Sequence, residues 1–178
     1  MFKVALYILI AVILAIFLLP FFYTVSAYDL DPLRILQAPS FEHIFGTDRL
    51  GRDMLARILE GGQTSLIIGF LAASISSIVG LFIGINAGYF KGNIDKSITI
   101  TIDLFLTFPT FFLLLALVSY IQASAVILII VISITGWMGM ARMIRSESFA
   151  ISNKPFIKVL KVANVSTFKI IFKYFAPL

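Results

Sequence analysis

From Val4 to Ala27 the chain carries no charged side chain, and a second uncharged run extends from Thr64 to Gly88. As a helix rising about 1.5 Å per residue, either run is longer than the roughly 20 residues that cross a hydrocarbon core. Such runs leave few choices of fold. Backbone N–H and C=O groups in lipid must be satisfied within the segment, so each run is expected to be a membrane-spanning helix. Only 13% of the residues are charged, against about a quarter in a soluble domain. A chain of 178 residues with 60% hydrophobic side chains has too much surface to hide them all in a water-soluble core. The expected class is all-α, a polytopic transmembrane helix bundle.

The same composition removes several functions. With no cysteine there is no disulfide framework, thiolate metal site or thiol nucleophile. The single histidine, His43, cannot form a metal cage by itself. The net charge of +5 is not gathered on one soluble face and reports membrane topology, not nucleic-acid binding. No nucleophile–base pair is evident. GRDMLARILEGG lacks the Gly-Lys-Ser/Thr ending of a phosphate-binding loop. No catalytic residue and no metal ligand is therefore assigned.

Three parts are expected. Residues 1–28 form an N-terminal transmembrane helix, kinked near its end by Pro20. Val25-Ser26-Ala27 resembles a signal-peptide cleavage site, but the apolar run is too long for a signal peptide and further spans follow. Residues 29–63 form a polar, acidic segment. Residues 64–178 form the core, with spans at 64–88, 97–120 and 123–141, making four spans in all. In the second span Gly80, Gly84 and Gly88 make two overlapping GxxxG motifs, a signal of close helix packing. The third holds Asp103 and Pro109, where a kink is expected. Trp137, Arg142 and Arg145 close the fourth. Lys3, Lys91, Lys96 and the basic residues from Arg142 onward fall on one side if the spans alternate. Arg34, Arg49, Arg52 and Arg57 fall on the other, within the acidic segment. The positive-inside rule then places the N-terminus and the C-terminal tail in the cytoplasm, and residues 29–63 outside.

Three places stand out. The first is FGTDRLGRD, Phe45 to Asp53, a polar turn between oily segments. Gly46 and Gly51 supply backbone freedom, Asp48 is expected to cap the following helix, and Arg52, Asp53 and Arg57 pair with neighbours. The second is Asp103, an acid within a span and so a functional candidate, or else a boundary acid hydrogen-bonded to a neighbouring helix. The third is the tail. Asn153-Lys154-Pro155 reads as a helix start. Phe156, Val159, Leu160 and Ala163 then form an apolar stripe, with Lys158 and Lys161 off it. Asn164 suits a left-handed turn. Ser166 caps a second short helix, with Phe168, Ile171, Phe172 and Phe175 on one face and Lys169 and Lys173 four residues apart. Two amphipathic helices at a sharp turn fit a membrane-surface element, a linker, or a docking elbow for a cytoplasmic partner.

Three stretches carry a family resemblance: FGTDRLGRDMLARILEGGQTSL (Phe45–Leu66), DLFLTFPTFFLLLALV (Asp103–Val118), and the segment from Gly136 to Leu178 that begins GWMGMARMIRSESF. Together they resemble the permease subunits of bacterial ABC importers, in the peptide/nickel group, over nearly the whole chain. The resemblance implies a type I importer permease in the bacterial inner membrane, forming part of a route for peptides or nickel. The segment 153–176 would be its EAA-like coupling loop, with Phe156, Lys158, Leu160, Lys161, Ala163, Asn164 and Ser166 meeting an ATPase subunit. Gly46, Asp48, Gly51, Arg52 and Asp53 would contact a binding protein or form a lip of the outer gate. Implied partners are a second permease subunit, two ABC ATPase subunits, a periplasmic or lipid-anchored solute-binding protein and membrane lipid. ATP and Mg would be held by partner subunits, and none is expected on this chain. Lys158, Val159 and Leu160 stand where the family often has an acid and two small residues, and Asn164 where it usually has glycine. Family members continue through two more spans past the equivalent of Pro177, so a truncated product is expected. The other readings are a non-transporting membrane fragment and a stand-alone channel or secondary carrier. The latter favours internal repeats, and none is convincing here.

Overall fold

A computed structural model describes residues 2–107, 112, 115, 116, 119 and 124–175. The expected kink at Pro109, most of the second half of the 97–120 span, residue 123 and the chain end at 176–178 lie outside the described residues. Residues 1–67 and 68–178 form two compact units. No β-strand occurs among the described residues, only an isolated bridge between Thr47 and Asp53.

The first helix, α1, runs Phe2–Leu18, followed by a 3₁₀ turn at Leu19–Phe21 with Pro20 in its first turn. Pro20 ends this helix where a kink was expected, and Tyr23–Ala27 is not helical. Proline offers no N–H to the ladder and disfavours helical backbone in the residue before it. Helix α2 spans Met54–Phe90, 37 residues or about 55 Å. It starts well before the uncharged run, because Asp53 caps it. It stops where Lys91 and Gly92 adopt positive φ, +56° and +59°. The expected 89–96 loop thus shrinks to a tight turn, and α3, Gly92–Thr107, begins at once. Helix α4, Ala125–Ser152, is capped by the Ser124 hydroxyl, which accepts the Ile127 N–H at 3.2 Å. It continues past Arg142 and Arg145, where the fourth span was expected to end. Two short helices follow, α5 at Pro155–Val162 and α6 at Thr167–Ile170, the latter widening into a π turn at Ile171–Phe175. Among the described residues three stretches, Phe2–Phe21, α2 and α4, are long and apolar enough to cross a membrane.

Within the first unit, the Gln63 amide donates to the Ile16 carbonyl at 3.0 Å. A Cβ at Gly62 would lie 3.0 Å from the end of the Ile16 side chain, so the missing side chain at Gly62 permits that approach.

The second unit is built on a seam of small residues. Ser76, Gly80, Gly84 and Gly88 recur every four residues along α2, on one helical face. Ser76 meets Gly136 and donates to the Ser133 carbonyl at 3.4 Å. A Cβ at Gly80 would stand 2.7 Å from Met140 Cβ, one at Gly84 2.7 Å from the Ala141 carbonyl, and one at Gly88 2.6 Å from the Arg145 carbonyl. Both residue series rise together, so α2 and α4 run parallel. Lipid gives helices no hydrophobic reason to associate, and close backbone approach is what small residues supply instead. Helix α3 is antiparallel to α4: Asp95 meets Arg145, while Asp103 meets Arg142. Ile102, Met138 and Ala141 form the core between them, with Ile98, Ile83 and Trp137 packed around it.

Candidate functional site

The opening FGTDRLGRD turn is a closed hydrogen-bonded knot. Gly46 and Gly51 sit at φ +71° and +75°, and a Cβ there would collide with the carbonyls of Gln37 and Asp31. Both glycines are thus required by conformation and by space. Asp48 does not cap the helix, as the sequence suggested. Its Oδ1 accepts the N–H groups of Leu50 and Arg52 at 2.8 and 3.0 Å, which winds the turn. Its Oδ2 takes Arg52 Nε at 2.9 Å and Arg57 Nη1 at 2.5 Å. Desolvation pushes this carboxyl up, but the backbone N–H groups and the Arg52 guanidinium outweigh it and hold Asp48 at about 2.

The cap belongs to Asp53, whose Oδ1 accepts the Ala56 N–H at 2.7 Å. Its Oδ2 meets the Tyr23 hydroxyl at 2.8 Å and His43 Nδ1 at 2.9 Å. The other ring nitrogen of His43 lies 3.0 Å from Arg34 Nη1. A guanidinium only donates, so Nε2 accepts and the ring proton sits on Nδ1, directed at Asp53. Arg34 also pairs with Asp31 at 3.1 Å and Glu42 at 2.9 Å. Burial raises the Asp53 pKa, but the Ala56 N–H, His43 and Tyr23 bring it below the usual carboxylate range. Tyr23 moves the other way, to about 12, through burial and then its hydrogen bond to Asp53. Asp48 and Asp53 are fully engaged here. Arg49 and Leu50 at the turn tip are exposed, as are Leu33, Leu36 and Phe41 nearby in sequence. The sequence reading missed His43, Tyr23 and Arg34 as members of this knot. Nothing in their spacing links them to Asp53, which lies 10 and 30 residues from His43 and Tyr23.

The tail forms the expected elbow, with local corrections. Asn164 is left-handed, φ +56°, and Ser166 accepts the Lys169 N–H at 3.4 Å. Asn153 does not start α5. It closes α4, donating to the Phe149 carbonyl at 3.1 Å and accepting from Lys91 Nζ at 2.6 Å. Lys154 takes the N-cap position without a side-chain bond, and Pro155 opens the helix. Only part of the apolar stripe is buried, and Ile157 and Ile170 join it. Ile157, Ile170 and Phe175 pack with Ile85, Tyr89 and Ile151, and Leu160 and Ile171 lie beside them. Phe156, Val159, Phe168 and Phe172 face outward. A helix of two turns has two apolar edges here, Phe156/Val159 and Ile157/Leu160, and periodicity does not choose between them. Lys161 lies over the Tyr89 ring at 4.3 Å, while Lys158 and Ala163 are exposed. The outer surface of the elbow is therefore aromatic and aliphatic, set among lysines, and the stretch 148–175 contains no acid. Phe168 and Phe172 also line an apolar groove of about 510 Å³ against Ile78, Phe82 and Ile85 of α2.

Asp103 and Arg142, read separately from the sequence as intramembrane acid and boundary anchor, are partners at 2.5 Å. Arg145 pairs with both carboxylate oxygens of Asp95, its Nη2 at 2.7 Å. Among the described residues no group of three or more His, Cys, Asp or Glu side chains is placed to hold a metal ion.

Residues 78–178 match the family described as binding-protein-dependent transport system inner membrane component. The chain is 33% identical to the oligopeptide transport system permease protein OppC of Haemophilus influenzae over 175 residues, which is 97% of this chain and 56% of that protein. It is 35% identical to OppC of Mycobacterium tuberculosis over 162 residues, 90% of this chain and 54% of that one. It is 36% identical to the dipeptide transport system permease protein DppC of Alkalihalophilus pseudofirmus over 155 residues, 86% and 51% of the two chains. The chain thus spans about half the length of these curated relatives.

Proposed function

The chain belongs to the binding-protein-dependent transport system inner membrane components, multi-pass proteins of the inner membrane, and we propose that it serves as a permease subunit of an ATP-driven peptide importer. The elbow carries this reading. Ile157, Ile170 and Phe175 anchor it to the ends of α2 and α4. The opposite surface, with Phe156, Val159, Val162 and Phe168, stays exposed. An element fixed rigidly on one side and apolar on the other suits a partner that pushes on it. In this reading the partner is an ATPase subunit that hydrolyses ATP, the tail is cytoplasmic, and the rim at Arg49 and Leu50 receives a solute-binding protein. A second permease subunit completes the passage. Peptide is the substrate named for the relatives and is the substrate proposed here.

The test is affinity purification of the tagged protein from gently solubilised membranes, followed by native mass measurement. Wild type should carry ATPase subunits. Val162→Glu with Phe168→Glu should lose them while still reaching the membrane. Retention of the ATPase by that double variant would refute the elbow as the docking element. Absence of any ATPase from wild type would refute the importer reading.

A further inference from the structure

His43 is the single histidine of the sequence, it is buried, and its ring ties two parts of the polar knot together. Nδ1 donates to Asp53 Oδ2 at 2.9 Å, and Nε2 accepts from Arg34 Nη1 at 3.0 Å. Only the neutral ring fits both partners. A histidinium carries a proton on each nitrogen and accepts nothing, so protonation sets an N–H and a second positive charge against the guanidinium. The surroundings decide which partner yields. Asp53 is almost fully buried against the ring and also receives the Tyr23 hydroxyl, and an opposite charge so close favours the charged imidazole. Arg34 is partly exposed and already holds Asp31 and Glu42, so it can leave the ring without losing its acidic partners. Tyr23, Asp53, Arg34, Asp31 and Glu42 are thus the titratable and charged groups about His43. Asp53 lies below the usual carboxylate range and Tyr23 at about 12, so neither changes charge between about pH 5 and 8, where histidine ordinarily does.

The segment that Arg34 anchors is held in a strained conformation. The Leu36 N–H donates to the Asp48 carbonyl at 3.1 Å, the Gln37 N–H to the Thr47 hydroxyl at 2.8 Å, and the Thr47 N–H to the Gln37 carbonyl at 3.1 Å. The Thr47 hydroxyl in turn donates to the Arg34 carbonyl. Within this pairing Leu36, an exposed leucine, adopts φ +51°. A left-handed leucine persists only where its surroundings over-determine it, and the Arg34 guanidinium fixes the start of the segment to the ring.

We infer that His43 is an acid-sensitive latch: protonation at Nε2 expels the Arg34 guanidinium from the knot and frees the segment from Arg34 to Gln37 from its pairing with Thr47 and Asp48. Acid thereby gives this part of the polar segment a second, more open conformation.

The single histidine makes the test direct. Protein carrying 15N-labelled histidine is studied in bilayer discs by nuclear magnetic resonance between about pH 8 and about pH 5. Protection of the Leu36 and Gln37 amides is followed in the same discs by hydrogen exchange, corrected for the intrinsic effect of pH. At the upper end the ring should be neutral with its proton on Nδ1. Protonation of Nε2 should bring a roughly tenfold loss of protection at those amides, and the two changes should share one midpoint. His43→Gln, whose side-chain amide does not titrate, should hold its protection constant across the range. Arg34→Met should show low protection at both ends although its ring still titrates. A proton on Nε2 at the upper end, a ring that keeps one charge throughout, or full protection beside the charged ring would each overturn the latch, and wild type alone decides these if the variants fail to fold. An equal loss of protection in His43→Gln would overturn it too, because another group would then be reading the acid.

Discussion

Asp53 is a single carboxylate that three groups share, and its removal should open the polar knot. Asp53→Ala loses the helix cap, which costs about 1 kcal/mol. It also leaves the Nδ1–H of His43, only 8% exposed, without an acceptor, at about 1–3 kcal/mol. The Tyr23 hydroxyl keeps the Glu42 carbonyl at 3.3 Å and adds little. Together these amount to about 2–4 kcal/mol, which at 1.36 kcal/mol per tenfold is a roughly 30- to 1000-fold rise in local opening. Asp53→Asn separates the terms. Its carbonyl oxygen can still receive the Ala56 N–H, but its amide faces the imidazole donor. The ring cannot move its proton to Nε2, because Arg34 already donates there. The assay is amide hydrogen exchange of protein in bilayer discs, read over Phe45 to Arg57. Asp53→Ala should exchange fastest, with Asp53→Asn between it and wild type. Exchange of Asp53→Ala within twofold of wild type would refute the reasoning, and equal exchange in both variants would show that the cap contributes nothing.

Three further outcomes are expected. Ser76→Cys with Gly136→Cys should form a disulfide under mild oxidation, since an ideal Cβ on Gly136 lies 3.3 Å from Ser76 Cβ, close to disulfide range. Adding Gly84→Leu should suppress that cross-link by forcing α2 off the Ala141 carbonyl, an overpacking cost of about 1–3 kcal/mol. Asn164→Gly should leave elbow proteolysis unchanged, whereas Asn164→Val should accelerate it, the left-handed conformation costing a branched residue about 1–2 kcal/mol. Asp48 has a depressed folded pKa of about 2 against roughly 3.9 unfolded. Its stabilisation is therefore complete above about pH 4 and lost as pH falls towards 2, so the amides of Leu50 and Arg52 should exchange faster across that window.

What was legible in the sequence follows from the range of the physics behind each feature. Uncharged runs and four-residue glycine spacing are local patterns, so the apolar helices α1, α2 and α4, a closely packed glycine face on α2 and the left-handed Asn164 could be read directly. The cap at Asp53 could not be separated from one at Asp48, because both acids precede the helix within a few residues and either side chain suits the role. The partnership of His43, Tyr23 and Arg34 with that cap is set by tertiary folding across tens of residues. The pairing of Asp103 with Arg142 depends on α3 turning back immediately at Lys91 and Gly92, a tight turn that the expected loop obscured. In α5 the pattern marks Phe156 and Val159 as an apolar edge but does not tell it from the Ile157/Leu160 edge, because only the location of Tyr89 and Ile85 decides which one is buried.

The seam between α2 and α4 is uneven in what it asks of each helix. On α2 the glycines themselves are the requirement, whereas on α4 three of the nearest atoms are the carbonyls of Trp137, Ala141 and Arg145, which every residue type possesses. Saturation mutagenesis should therefore show a lopsided map. Positions 80, 84 and 88 would tolerate almost nothing beyond glycine, while 137 and 145 would accept many side chains as far as this seam is concerned. Two helices in equally close contact would carry very different densities of forbidden substitutions.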